Sequence, residues 1–380
     1  MAEPAQAKPA VAVIGGGYAG VNVAKSLDDV ADVVLVEPKE AFVHNVASLR
    51  ALVAPSWLPR IYLPYAGLLS HGRVIRDRAA KVDAGRVELA SGDALQAGYI
   101  VLATGSAYPF PAKSDVENTA AAHERVLAAH AALAAAGRVL LLGAGPVGIE
   151  LAGEIAAIWP DKHITLVDPA RDVLGARFRA ELKAEIRRQL AGLGVHVMLG
   201  TQLAADPPGE PGELGTFTVR TRPGGGELTA DIWFRCYGVA PVSDYLAGGL
   251  AAARQPDGFV LVTPQLRVAG QDRVFALGDV AAADHKMAGA ASRQAAVVAG
   301  NIRALITGQG ELARYDPPPP GIIVPIGPDG GAGQRGGQGG LLPAEVVAQL
   351  KGRDMMVDRY IELLGGPVRG GPVSADGGSG

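Results

Sequence analysis

Residues 11–37 read VAVIGGGYAGVNVAKSLDDVADVVLVE, and the order of elements in this stretch decides the fold. Val11 to Ile14 is an apolar run of strand length, followed at once by Gly15, Gly17 and Gly20 in G-x-G-x-x-G spacing. The apolar positions then change period. Val21, Val23, Ala24 and Leu27 line one side of a helix. A second apolar run, Val33 to Val36, ends in Glu37. Strand, glycine turn, helix, strand and acid make a βαβ unit carrying a dinucleotide fingerprint. The first glycine allows the tight turn, the second lets the backbone approach a pyrophosphate, and the third lets helix and strand pack closely. The pyrophosphate would sit at the helix N-terminus, around Gly17, Tyr18 and Ala19, where unpaired N–H groups and the helix dipole favour negative charge. Glu37, followed by Pro38, would accept hydrogen bonds from a ribose.

The pattern recurs further along. Arg138 to Leu142 reads as a strand, followed by Gly143, Gly145 and Gly148 in the same spacing, with Pro146 and Val147 between. A helix through Ile149, Leu151, Ala152 and Ile155 comes next, then a strand, Ile164 to Val167, that ends in Asp168. Two fingerprints imply two dinucleotides. The simplest account of two is a hydride donor and its acceptor, NAD(P)H and a flavin. Asp168 predicts NADH, because a 2′-phosphate would bring negative charge beside its carboxylate. Arg171, three residues on, keeps NADPH open.

Composition narrows the alternatives. The 380 residues suggest two or three domains, and the 48% of hydrophobic residues can fill their cores. The formal net charge of −3 and the lack of like-charge blocks argue against a nucleic-acid partner. The single cysteine, Cys236, rules out a disulfide framework and a redox-active cysteine pair within the chain, and it reads as a small core residue. The seven histidines show no metal-ligand spacing, so no metal is expected. Apolar runs of membrane-spanning length are broken by Arg138, Asp244 or Pro325, and Met1 to Lys8 lack the apolar stretch of a secretory signal. The expectation is a soluble cytoplasmic protein, with peripheral membrane contact left open.

Two further stretches distinguish the two sites, YIVLATG (99–105) and VFALGDVA (274–281), and four more narrow the match: FVHNVASLRA (42–51), GPVGIELAGEI (145–155), FRCYGVAP (234–241) and HKMAGAA (285–291). With these the chain resembles the two-dinucleotide-binding-domain flavoproteins, and among them the AIF-like subgroup, over about residues 10–365. The resemblance implies that the first fingerprint binds FAD and the second NAD(P)H. It implies that Val82, Ala103, Thr104, Gly105 and Gly278 lie beside the FAD, and that Asp279 bonds the ribityl chain. A helix N-cap before Val280 is the other reading of Asp279. The helix starting near Lys286 or Met287 would point its N-terminus at the flavin, and Lys286 could add a full positive charge or be a solvated surface lysine. Glu150 would face the nicotinamide, or be an ordinary first-turn carboxylate. Arg50 would contact FAD, or form a surface ion pair. His44 could lie near the flavin, with no catalytic role assigned to it. Gly238 would allow close approach to NAD. The implied activity carries electrons from NAD(P)H through FAD to a quinone or similar small acceptor. The alternatives are a reductase of an electron-transfer protein such as ferredoxin and a slow-turnover redox-sensing flavoprotein.

The expected fold class is α/β: two Rossmann-like domains, the NAD domain inserted in the FAD domain, plus a small C-terminal α+β region. The FAD-binding domain would comprise residues 1–112 and 237–315, and the NAD(P)H-binding domain residues 113–236. Residues 316–365, after the tetraproline Pro317 to Pro320, would form an interface region. In related proteins such a region covers the flavin and helps form a homodimer. Residues 366–380 are expected to be disordered. Ala128 to Ala136 predicts an Ala-rich helix, Asp206 to Gly226 hairpin loops, and Gly321 to Ile326 a strand followed by glycine-dense loop to Gly340. A helix is predicted over Pro343 to Leu350, then a further apolar stretch, Met355 to Leu364.

Overall fold

The computed structural model describes residues 8–337 and 339–367. The tail expected to be disordered lies, from residue 368 onward, outside the described residues. Strand β1 (Ala10–Ile14) runs into helix α1 (Tyr18–Leu27) and strand β2 (Asp32–Val36). A short helix, α2 (Ser48–Val53), and strands β3 (Arg73–Ile75) and β4 (Tyr99–Leu102) follow. The antiparallel strands Ala79–Asp83, Arg86–Leu89 and Ala94–Gln96 lie between β3 and β4. Helix α3 (Thr119–Ala135) leads to β5 (Arg138–Leu142), α4 (Pro146–Ile158) and β6 (His163–Asp168). Next come α5 (Ala180–Gly192), β7 (His196–Leu199), β8 (Phe217–Arg222), β9 (Glu227–Ala230) and β10 (Ile232–Arg235). The chain then returns through β11 (Val274–Ala276) to the long helix α6 (Ala288–Thr307).

Two parallel sheets result. The first has the order β11-β4-β1-β2-β3 and the second β7-β6-β5-β10. Their central strands are continuous apolar runs because both faces are covered. The first sheet takes its strands from residues 10–102 and again from 274–276, so the second, spanning 138–235, is an insertion in it. The two crossings run side by side, with Ser106–Ala107 pairing antiparallel to Ala240–Pro241.

A third region packs across both. It contains β12 (Ile322–Ile326), β13 (Gly330–Gln334), β14 (Leu341–Leu342), α7 (Ala344–Val347) and α8 (Val357–Leu363). Val324 and Ile326 share a core with Leu52 before the insertion and Ile155 within it. Gly153 makes this possible: a Cβ there would lie 2.6 Å from Ile326 Cα, so α4 and β12 touch backbone to backbone.

The loop expectations need correcting. The stretch Asp206 to Gly226 contains β8, whose partner β9 follows directly. The glycine-dense stretch before Gly340 contains β13. Its glycines are a packing requirement rather than a loop signal, since a Cβ on Gly331 would lie 2.5 Å from Val324 O and 2.7 Å from Val347. The Ala-rich helix starts earlier than Ala128, where Asn118 Oδ1 accepts from Ala121 N (2.9 Å). The helix expected over Pro343–Leu350 is α7, continued by a wider turn through Gly352. Among the described residues no helix is long and apolar enough to cross a membrane.

Candidate active site

At the first fingerprint Gly15 turns with φ +102°, a backbone conformation that side chains disfavour. A Cβ on Gly20 would lie 1.8 Å from Gly15 O, so this residue serves helix–strand packing and stays off the cavity wall. Gly17 faces open space and precedes α1 without a side-chain cap. Glu37, at the end of β2, accepts from Gly16 N (2.6 Å) and from Lys39 N (3.0 Å). Gly15, Gly17, Tyr18, Ala19, Glu37 and Pro38 line a cavity of about 1270 Å³.

The motifs distant in sequence converge on the same cavity. Ala103, Thr104 and Gly105 line it from the end of β4, and Gly278 and Asp279 from the end of β11. Thr104 Oγ1 donates to Val242 O (2.6 Å), which ties the first crossing to the second. Asp279 caps no helix with its side chain. Its Oδ2 accepts from Ser106 Oγ (2.7 Å) and Lys113 Nζ (3.1 Å). Lys113, the first residue assigned to the inserted segment, thus belongs by contact to the first sheet's site. Met287 lines the cavity at the uncapped N-terminus of α6. Lys286 lies on the rim, its ammonium 4.0 Å from the centre of the Phe259 ring.

The second fingerprint repeats the geometry. Gly143 turns with φ +111°, and a Cβ on Gly148 would lie 1.9 Å from Gly143 O. Asp168 accepts from Ala144 N (2.6 Å) and Ala170 N (2.7 Å), as Glu37 does at the first turn. Gly238, with φ +103°, is exposed on the chain just after Cys236, whose carbonyl abuts Gly143. Cys236 itself is buried, and burial pushes its thiol up to about 12, which leaves it inert at neutral pH. Gly143, Gly145, Gly148, Asp168 and Gly238 lie outside the large cavity, but Pro146, Val147 and Glu150 line it.

Glu150 sits beyond the first turn of α4. It is buried, and its Oε1 accepts from Lys351 Nζ (2.7 Å), which comes from the C-terminal region. Burial raises the Glu150 pKa, and the Lys351 charge opposes the rise.

Besides Gly20, two of the expected FAD contacts, Arg50 and Val82, do not reach the cavity. Arg50 is neither on its wall nor on the surface. It is buried, paired with Glu154 through Nε and Nη2, and donates to Gly352 O (2.8 Å), clamping α2, α4 and the C-terminal region together. Val82 is fully buried, and its backbone is bonded to Tyr245 and Ala247. Other residues on the wall had no motif to announce them: Lys39, Lys113, Lys351 and Tyr360. The carboxylates paired with Lys113 and Lys351 are far away in sequence, 166 residues for Asp279 and 201 for Glu150. His44, expected only near the flavin, is fully buried on the wall. Its Nε2 faces Met355 O (2.7 Å), an obligate acceptor, so Nε2 carries the proton and Nδ1 accepts from Tyr18 OH (3.2 Å).

The residues present fit a dinucleotide. A Cβ at Gly17 or Gly105 would enter open space on the cavity wall, and α1 and α6 present uncapped N-termini to the cavity. Asn45 Oδ1, beside His44, is buried with no hydrogen-bond partner among the described residues, an acceptor that suits a ligand.

The profile of a family described as pyridine nucleotide-disulphide oxidoreductase matches residues 9–300. The chain belongs to this family. It is an NAD(P)H-dependent flavoprotein oxidoreductase, and FAD and NAD(P)H are its cofactors. Similar family members include ferroptosis suppressor protein 1 of Taeniopygia guttata, 29% identical over 93% of this chain and 95% of that protein. Apoptosis-inducing factor homolog B of Dictyostelium discoideum is 27% identical over 95% of this chain and 98% of its own length. Among solved structures, the sulfide:quinone oxidoreductase of Aquifex aeolicus superposes with a TM-score of 0.76 over 94% of this chain and 92% of that one. At 17% identity it shows the shared fold.

Proposed function

We propose that the chain takes a hydride from NADH at the second fingerprint, transfers it to FAD held at the first, and delivers electrons to a quinone or similar small acceptor. The observation that carries this is the shared cavity: Glu150 and Val147 of α4 line the same space as the first glycine turn, Asp279 and Met287. Donor nucleotide and flavin can therefore meet there. FAD, when bound, supplies an acceptor that takes electrons in pairs and can pass them on. Gly15, Gly17 and Glu37 hold its adenosine diphosphate half, and Asp279, kept in place by Lys113 and Ser106, bonds the ribityl hydroxyls. The α6 N-terminus at Met287 places its positive end toward the flavin ring. Lys286, its ammonium over the Phe259 ring, adds positive charge to the same cavity. Glu150 contacts the nicotinamide, and Lys351 opposes the upward push of burial on its carboxyl. The quinone reading is supported by the apolar wall that the C-terminal region contributes through Ile322, Ile323, Leu342, Met356 and Tyr360, a surface suited to a flat ring.

The test is anaerobic mixing of the purified yellow protein first with NADH, then with a quinone. NADH should bleach the flavin absorbance and the quinone should restore it within turnover time. Glu150→Gln should slow the bleaching or raise the NADH concentration it needs, with FAD content unchanged. Recovery by a ferredoxin and not by any quinone would replace this reading with a protein acceptor.

A further inference from the structure

Lys39 is a cation on the cavity wall beside the first glycine turn. Lys39 lies two residues beyond Glu37, and the Glu37 carboxylate bridges Lys39 N to Gly16 N in the fingerprint turn. Lys39 and that turn line the same cavity. The neighbouring cations are already engaged: Lys113 with Ser106 and Asp279, Arg78 with Glu117, Arg125 with Asp115, and Arg76 with Glu40. Lys39 Nζ makes no hydrogen bond or ion pair among the described residues. Burial lowers its pKa and repulsion from Lys113 and Arg78 adds to that, while Glu37 and Asp115 oppose it without bonding the ammonium. A partly desolvated ammonium without an anion is costly. The glycine turn has the complementary need, because its N–H groups bring partial charge to a diphosphate that carries full charges.

We propose that Lys39 is the cation that pairs with the diphosphate of bound FAD. The proposal rests on reading this cavity as the FAD site. Binding then relieves two costs at once, since the diphosphate gains a full countercharge and Lys39 gains an anion. Glu37 serves twice, accepting at the ribose and holding the Lys39 backbone one hydrogen bond from the turn.

The experiment compares wild type, Lys39→Met, Lys39→Arg and the exposed control Lys25→Met as full-length protein. Flavin loss from the holoprotein on dilution is followed by the fluorescence of released FAD. ADP and adenosine are then titrated as competitors of FAD rebinding. Lys39→Met should weaken FAD and ADP by about tenfold, the lower end of what a hydrogen bond between charged groups contributes. Adenosine should bind as in wild type, Lys39→Arg should recover most of the loss, and Lys25→Met should change nothing. Unchanged ADP affinity in Lys39→Met overturns the proposal. So does an equal loss for ADP and adenosine, which would place the effect at the ribose or in the fold. Wild-type protein that carries no FAD would instead overturn the reading of the cavity itself.

Discussion

At the first fingerprint Gly15 makes the left-handed turn, Gly20 packs on its carbonyl, and Glu37 bonds the amide of Gly16. At the second, Gly143, Gly148 and Asp168 make the same three contacts, the last to Ala144 N. The local devices are equivalent, yet their surroundings differ. The first turn opens into the large cavity, whose wall is completed by Lys351, Met356 and Tyr360 of the C-terminal region. The second turn lies outside that cavity, and only Pro146, Val147 and Glu150 of its helix reach in. A covered site suits a resident cofactor, and an open one suits a nucleotide that arrives and leaves at each turnover. The difference is set by chain that lies elsewhere in sequence, not by the fingerprints.

Gly17 and Gly145 give the sharpest way to break this comparison. Both have extended backbone, φ −78° and −77°, which any residue adopts, and neither has an atom within 4 Å of where a Cβ would sit. Valine at either position should therefore fold normally and obstruct only a bound dinucleotide. Gly17→Val should yield colourless, folded, inactive protein. Gly145→Val should stay yellow, with kcat/KM for NADH down by about a hundredfold, the effect of roughly 2–3 kcal/mol of steric overlap. Flavin absorbance, circular dichroism and steady-state kinetics read the outcome. Loss of flavin from Gly145→Val would mean that the two sites are not independent.

The βαβ units were legible because they are local: apolar period, glycine spacing and terminal acid lie within thirty residues or so of each other. The nesting of one sheet within the other was legible only through resemblance, since its strands come from both ends of the chain. The convergence of Thr104, Asp279 and Met287 on one cavity wall was legible through resemblance. Arg50 was misread because its partner Glu154 is on another helix, and a buried ion pair leaves no mark in local sequence. Lys351 and Lys113 were missed for the same reason. The glycines of β13 misled because glycine-rich sequence has two physical causes, turn geometry and close packing, and only the neighbours Val324 and Val347 show which applies.

The cover over the first site gives a smaller, pH-dependent test. His44 joins Tyr18 of α1 to the carbonyl of Met355, and its ring stands among Tyr18, Phe42 and Tyr360. Burial holds its pKa down at about 4, against an ordinary 6.5, and the Lys351 charge acts in the same direction. The unfolded chain therefore takes up this proton more readily than the folded one. Stability from His44 is present above pH 6.5 and is lost as pH falls toward 4, up to about 3 kcal/mol in all. Unfolding measured across pH 4.5–7.5 should slope downward toward acid in wild type and be flatter in His44→Gln. FAD should also be released more readily at pH 5, while NADH affinity, set at the uncovered site, should hold. Equal slopes in both proteins would mean that His44 is solvated and that the C-terminal region does not close the cavity.

The smallest effect should come from the acid of the open site. Asp168 holds the second turn through Ala144 N and Ala170 N and would share its oxygens with the adenosine ribose. A 2′-phosphate there meets like charge. At about 4 Å and an effective dielectric near 20 each unit of charge costs about 4 kcal/mol, an upper limit. This turn is open to solvent, so screening reduces the cost to a preference for NADH of about tenfold. Asp168→Asn keeps one of the two acceptors of the turn and removes the charge, so the ratio of kcat/KM for NADH and NADPH should approach one. Arg171 is exposed and three residues away, free to pair with a phosphate, so Arg171→Ala should move the ratio further toward NADH. The equivalent change at the covered site, Glu37→Gln, should leave this ratio where it is if that acid holds FAD, as proposed. A wild-type enzyme that favours NADPH tenfold would assign the choice to Arg171 and leave Asp168 as a support of the turn.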